Sequence, residues 1–428
     1  MHNVLLVTID SLRPDFLGCY SERARAQGLS PRLDEWAQTA CLFRTCITQG
    51  PRTPEAFPAI LSGQYACRYR DVFSGLSPQR RLLSEILGEH GYQCAAFNSN
   101  PYISQRSGYG RGFHLYEDSL PVSRPRGLAG RLFINLFKLR NLLLEPYVPA
   151  PRLNRQALSW LNKARRPFFL WVHYMDVHGP YIPKRGLRAL QRLRAGLLWR
   201  KATHRPGEIT PREREALLAA YQEEVRFTDH HLAQLLGHLD PRTTLVIVTA
   251  DHGEMFGEHG LYGHTNNLYD SLLKVPLLLK LPGQEGPLVV ERMVRSLDIV
   301  PSVLDILGLP NGHPCDGESL RPLLGGDAGA YQPTQAISEV WTKHLAIRTE
   351  EWKLIANYVE GRKELYDLRR DPEEARNLIG ERPEVAKRLE EALREHLLKI
   401  EAPLDDLRQC GIEVDDLLQS RLRALGYM

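Results

Sequence analysis

Val246-Ile247-Val248-Thr249-Ala250-Asp251-His252-Gly253-Glu254 is the stretch whose reading decides the fold. A β-branched run without polar alternation ends abruptly in a carboxylate, an imidazole and a glycine. Such a run predicts a strand buried on both faces of a parallel sheet, and such strands present ligands at their carboxyl ends. Two other segments repeat the pattern. Val4 to Ile9 runs into Asp10, and Phe168 to Val172 runs into His173, Asp176 and His178. Three strands ending in metal-type ligands predict one site at one edge of one sheet.

Working outward, Pro31 to Ala37 reads as a helix with proline in its first turn and Cys41 to Ile47 as a strand. Gly50-Pro51-Arg52-Thr53-Pro54-Glu55 is a turn leading into a helix that ends near Gly63. A helix over 82–90 and a strand from Gln93 to Phe97 follow. This βαβα rhythm points to a doubly wound, mostly parallel sheet. Later come a long helix from Pro211 to Leu239, strands from Thr244 to Ala250 and Val275 to Leu281, and a helix from Leu297 to Leu307. Past residue 330 the character changes. Leu345 to Thr349, Trp352 to Tyr358 and Glu364 to Leu368 are short strands between turns, which predicts a small antiparallel sheet. A charged helix from Pro383 to Lys399 and a tail ending at Met428 close the chain. The expected organisation is a large three-layer α/β/α domain over 1–330 and a subdomain with a helical tail over 331–428.

The 428 residues can bury a large core, and 43% hydrophobic with 25% charged is ordinary for a soluble globular protein. Seven cysteines without repeated spacing argue against a disulfide framework or a cysteine zinc site, and favour a reducing compartment. The first strand leaves no room for a signal peptide, and no run of eighteen apolar residues occurs. The expectation is a cytoplasmic protein without a transmembrane helix.

The net charge of +4 hides a strong asymmetry. Between Pro121 and Arg205, eighteen Lys and Arg face two acids, Glu145 and Asp176, a local balance of +16. Segregation of this kind serves an anionic partner or surface. The stretch contains two insertions, about 119–165 and 184–206. Leu128 to Leu144 is apolar on most of its circumference, interspersed with Arg131, Lys138 and Arg140. Leu187, Leu190, Leu193 or Arg194, Leu197 and Leu198 have helical spacing, with Arg188, Arg192 and Arg200 between them. Two readings stand side by side: helices packed on the domain with a solvated basic face, or a lid or anchor lying on anionic lipid or another polyanion. No nucleic acid specificity is expected.

Asp10, Asp251 and His252 suit a divalent cation such as Mg²⁺, Ca²⁺, Mn²⁺ or Zn²⁺. A lone Asp after a strand is also a common N-cap; two strands ending this way in one chain favour the cation. Thr53 lies at a helix start, where backbone N–H groups and the helix dipole favour a tetrahedral oxyanion. It reads equally as an ordinary N-cap. A threonine hydroxyl is a poor nucleophile unless a divalent cation lowers its pKa. His178 and His264 are candidates for leaving-group acid or anion clamp, although each alone is also a common kind of loop histidine. His173 and His259 are expected to support the ligands from behind.

These pieces resemble, from end to end, the sulfatase branch of the alkaline phosphatase superfamily. The resemblance rests on Asn3 to Asp15, Ser30 to Asp34, Phe168 to Tyr181, Thr249 to Gly260, Leu297 to Asp305, Asp316 to Leu324, and Glu364 to Leu368 with Asp371-Pro372. It implies a mixed sheet between helices and a four-stranded C-terminal subdomain. Familiar sulfatases carry Cys or Ser in a Cys-x-Pro-x-Arg block, the Cys being converted to formylglycine. Here Thr53 occupies the nucleophile position, Glu55 that of the proline and Phe57 that of the arginine, so no formylglycine is expected. Threonine in this place resembles the phosphodiesterase, phosphoethanolamine transferase and lipoteichoic acid synthase branches, where it is transiently phosphorylated. The usual second aspartate after the first strand is Ser11, again closer to those branches. His178 sits in a His-Gly-Pro resembling the substrate-side histidine of the phosphoethanolamine transferases, and His264 falls where sulfatases often carry a substrate-binding lysine.

The reading that follows is a metal-dependent hydrolase or transferase of phosphate mono- or diesters working through Thr53. One cation is held by Asp10, Thr53, Asp251 and His252, and a second becomes available if His178 and His264 join. Two alternatives remain open: a sulfuric ester hydrolase, and a non-catalytic protein that binds anionic lipid or glycan.

Overall fold

The computed structural model describes residues 2–69, 75–118, 147–181, 189–340 and 343–400. Among them, nine strands build the main sheet: β1 (Asn3–Ile9), β2 (Cys41–Ile47), β3 (Gln93–Phe97), β4 (Leu115–Glu117), β5 (Phe168–Tyr174), β6 (Thr244–Ala250), β7 (Lys274–Lys280), β8 (Leu288–Val290) and β9 (Val294–Arg295). Their order is β8-β2-β7-β6-β1-β5-β3-β4, with β9 also beside β2. Only β7 runs against its neighbours, β2 and β6. The doubly wound, mostly parallel reading therefore holds.

Every residue of β1, β5 and β6 is buried. That is why their sequences are apolar without alternation: neither face of these strands meets water. Two helix groups supply the cover. On one side α1 (Pro31–Ala37) and α4 (Ala150–Leu161) pack against α6 (Pro211–Leu236); on the other α2 (Thr53–Ser62) packs against α3 (Leu83–Glu89) and α7 (Ile299–Ile306). Helix α6 starts with the reciprocal bonds of Thr210 and Glu213, and it ends at Leu236, three residues before the expected Leu239.

The register sets up the site. Ile9 pairs with Tyr174 on one side and Ala250 on the other. The residues just beyond, Asp10 and Asp251, therefore leave the sheet at the same level on adjacent strands.

The three C-terminal strands read from the sequence are joined by a fourth. β10 (Ala336–Val340), β11 (His344–Arg348), β12 (Trp352–Asn357) and β13 (Arg362–Asp367) form an antiparallel sheet in chain order, covered by α8 (Pro383–Lys399). Lys353, fully buried, ties this sheet to the main domain through Asp270 at 2.7 Å, and Glu374 of the subdomain pairs with Lys353 at 2.7 Å while accepting from Asp270 N. The helix expected over Leu128 to Leu144 and the tail beyond residue 400 lie outside the described residues. The second insertion does form a helix, α5 (Ala189–His204). No helix among the described residues is long and apolar enough to cross a membrane.

Candidate active site

Asp10 and Asp251, fully buried at the ends of β1 and β6, face each other across Thr53. Thr53 is the first residue of α2, and Arg52, not Thr53, occupies the cap position. The Thr53 hydroxyl points away from the helix amides. It donates to Asp251 Oδ2 at 3.0 Å and lies 3.4 Å from Asp10 Oδ2. The N-cap reading of Thr53 is thereby set aside. Gly50 lets the preceding turn lie against α2: a Cβ there would meet Glu55 Cβ at 2.2 Å.

Two fully buried histidines, His173 in β5 and His252 just beyond β6, stand beside the carboxylates. His252 Nδ1 donates to the Gly253 carbonyl at 2.8 Å, which leaves the Nε2 lone pair free. That Nε2 is buried without a hydrogen-bond partner, 3.5 Å from Asp251 Oδ2 and 3.6 Å from Asp10 Oδ1. Thr8 Oγ1 accepts from Trp171 Nε1 at 3.0 Å and is hydrogen-bonded to His173 Nδ1 at 2.9 Å. His173 Nε2 lies 3.4 Å from Asp10 Oδ2 and, like His252 Nε2, is buried without a hydrogen-bond partner among the described residues. Both imidazoles thus face the carboxylates, and His252 is the one that joins Asp10 and Asp251 in a metal-type cluster.

Asp10, Asp251 and His252 form the metal-type cluster found among the described residues, their donor atoms within 4.8 Å of one another. Two buried carboxylates and one free imidazole nitrogen fit a divalent cation. Burial works against ionisation of Asp10, but His178, His173 and His252 outweigh it and hold Asp10 well below the usual range. Burial, and then the charge of Asp10, push Asp251 up to about 7. Two buried carboxylates this close repel each other, and a cation between them would offset that repulsion.

His178 and His264 stand next to this cluster. The His264 ring lies 4.7 Å from that of His252 and 4.8 Å from that of His178. Neither joins the metal-type cluster, so the two-cation arrangement gains no third donor from them among the described residues. His264 Nδ1 is bound to Glu254 Oε1 at 3.1 Å, and Tyr181 donates to Glu254 Oε2 at 2.8 Å. The fully buried Glu254 thus fixes one face of the imidazole and leaves Nε2 for a ligand. Asp176, at the end of β5, does not enter the site: its carboxylate accepts from Ala150 N at the start of α4. Two strands, not three, deliver ligands. His259 stacks on Tyr269 at 3.6 Å, away from the cluster.

Comparison with known proteins decides the family. The family model for sulfatases matches residues 2–309, and a second, for the C-terminal region of N-sulphoglucosamine sulphohydrolase, matches residues 257–402. The chain belongs to the sulfatase family. Arylsulfatase K of Rattus norvegicus is 25% identical to this sulfatase-family protein over 92% of its length and 77% of the relative's. A 2-O GAG sulfatase superposes with a TM-score of 0.74 at 19% identity, covering 96% of each chain. The phosphonate monoester hydrolase of Agrobacterium radiobacter superposes with a TM-score of 0.70 at 20% identity, covering 94% of this chain and 96% of that one.

The residues of α2 that the resemblance set against the family's Cys-x-Pro-x-Arg block make contacts of their own in this sulfatase-family protein. Phe57, at the arginine position, is buried edge-on to His173 at 5.1 Å and tilted against Trp171 at 5.5 Å. Glu55, at the proline position, is buried and holds Arg52 in an ion pair. Sequence reasoning missed Asn100, whose Nδ2 donates to Asp10 Oδ2 at 3.0 Å and lies 3.3 Å from Thr53 Oγ1. The available signal was the run Asn98-Ser99-Asn100 just after β3, a strand ending in polar residues like β1 and β6. Glu254 and Tyr181 were missed because only the fold brings them to His264.

Proposed function

We propose that the protein cleaves or transfers monoanionic phosphate esters, diesters in preference to monoesters, through a covalent phosphothreonine at Thr53. The observation that carries this is the Thr53 hydroxyl, aimed at Asp251 and Asp10 instead of at its own helix. A divalent cation held by Asp10, Asp251, His252 and Thr53 Oγ1 would supply Lewis-acid stabilisation of the developing oxyanion and make the hydroxyl more acidic. Thr53 Oγ attacks phosphorus in line as its proton passes towards Asp251 Oδ2. Asn100 Nδ2 donates to the oxygen that gains charge. The bond to the leaving oxygen breaks, and His264, held by Glu254, or its neighbour His178 protonates that oxygen. Water or an acceptor alcohol then attacks the phosphothreonine and restores the hydroxyl.

Charge favours a monoanion. The family's arginine and lysine positions hold Phe57 and His264, two permanent positive charges fewer for a dianion to meet. A sulfuric ester is also a monoanion, and the arylsulfatase and GAG sulfatase relatives support that second reading. Against it, a threonine sulfate has no second hydroxyl on its carbon with which to expel sulfate. The reading further places the protein in a reducing, cytoplasmic setting, with an anionic lipid or polyanion against residues 121–205.

The test is parallel turnover of nitrophenyl sulfate, phosphate, phosphonate and bis-ester substrates by wild type and Thr53→Ala. The expected result is diester turnover lost by orders of magnitude in the variant, with cation uptake retained. Turnover surviving in Thr53→Ala removes the nucleophile assignment, and efficient sulfate turnover replaces phosphorus with sulfur. A wild type that takes up no divalent cation favours anionic lipid or glycan binding without catalysis.

A further inference from the structure

Helix α5 carries apolar residues on two opposite sides. At 100° per residue, Leu198, Trp199 and Ala202 share one side and Leu193 and Leu197 the other. The first side packs on the domain, with Ala202 fully buried. A Cβ on Gly179 would meet Trp199 Cζ2 at 2.3 Å, and one on Gly263 would meet Thr203 Cγ2 at 3.1 Å. Glycine at 179 lets α5 lie on the loop that carries His178, and α5 also comes close to the loop that carries His264 at Gly263.

Among the described residues the second side has no partner. Leu193 is 44% exposed and Leu197 56%, one turn apart, and they are two of only six large apolar side chains so exposed among the described residues. Arg194 and Arg200 are exposed beside them. No acid occurs from Ala189 to Arg205; Lys201 turns back to Glu213 at 2.8 Å. A polyanion would be met by arginines alone, and exposed leucines would add nothing. Leucines flanked by unscreened arginines match a bilayer with anionic headgroups, where the apolar side chains enter the acyl boundary and the guanidinium groups meet phosphate.

We infer that α5 docks the catalytic domain on an anionic lipid surface through Leu193, Leu197, Arg194 and Arg200, with His178 and His264 beside the contact. The ester would then be lipid-borne, met at the headgroup level. This substrate class rests on the Thr53 reading; the docking does not, because vesicle binding is measured without turnover.

The experiment is flotation with vesicles of phosphatidylcholine alone or with phosphatidylserine, and retention on immobilised heparin as the polyanion control. Wild type should float with the anionic vesicles only, less so at high salt. Leu193→Gln/Leu197→Gln should lower that binding on the order of tenfold. Each of Arg194→Gln and Arg200→Gln should lower it about fivefold. Val359→Gln, at an apolar site 72% exposed on the other subdomain, should bind as wild type, and all variants should melt as wild type. Unchanged vesicle binding by the leucine variant, or equal binding to neutral vesicles, overturns the docking. Heparin retention without vesicle binding replaces the bilayer with a polyanion. Anionic-vesicle binding in a protein whose Thr53→Ala variant keeps turnover supports the docking and removes the covalent chemistry alone.

Discussion

Asn100 offers the sharpest test of the active-site geometry, because two parts of one side chain do separate things. Its Oδ1 accepts from Tyr102 N at 3.0 Å and caps a short turn, while Nδ2 donates to Asp10 and approaches Thr53. Asn100→Ala removes both. The lost cap costs about 1 kcal/mol, roughly 1–2 °C in Tm for a chain of this size. The lost donor removes an amide aimed where charge develops, about 10²- to 10³-fold in kcat. Asn100→Asp separates the two, since a carboxylate still caps but cannot donate and adds negative charge beside Asp10. It should lose at least as much kcat as the alanine variant and melt below it, because, although the cap is kept, a buried carboxylate is set against Asp10. The assay is kcat and KM on a bis(nitrophenyl) ester together with thermal melting. If either variant turns over within about threefold of wild type, where a lost donor predicts at least 10²-fold, Asn100 is not part of the reacting centre.

Three further outcomes are expected. Glu254→Gln replaces the charged partner of His264, so kcat should fall roughly 10- to 100-fold, the effect of about 1.5–3 kcal/mol in a hydrogen bond to a charged group, with KM little changed; wild-type kcat would exclude Glu254 as the residue that positions His264. Burial raises the Glu339 carboxyl from 4.5 to about 7, against the bond it accepts from Cys67 N at 2.8 Å. The folded state thus holds a proton that the unfolded chain has released, and stability falls as pH rises from 4.5 to 7, by up to about 3 kcal/mol. Glu339→Gln should lack that slope, so its melting temperature should gain on wild type across this window; parallel curves would refute the assignment. Chelation should abolish turnover and lower Tm, since Asp10 and Asp251 lose their counter-charge, and a divalent cation should restore both; an unchanged melting curve would count against a cation between them.

The fold was legible because buried parallel strands need no partner to be recognised. The uninterrupted apolar runs of β1, β5 and β6 reflect cover on both faces, and the polar residues ending β1 and β6 marked the site edge. The tertiary structure decided what local pattern could not. Asp10 and Asp251 are distant in the chain and meet only because Ile9 and Ala250 are in register. Thr53 reads as a helix cap until the direction of its hydroxyl, towards Asp251 and Asp10, is known. His173 and His252 both follow apolar runs, and only the fold shows that His252 shares a metal-type cluster with Asp10 and Asp251. Asn100, a neutral amide, has no metal-type signature and becomes part of the site through two distances. Periodicity and residue chemistry are local and can be read along the chain; hydrogen-bond direction and the company a side chain keeps are set by residues brought together from far apart.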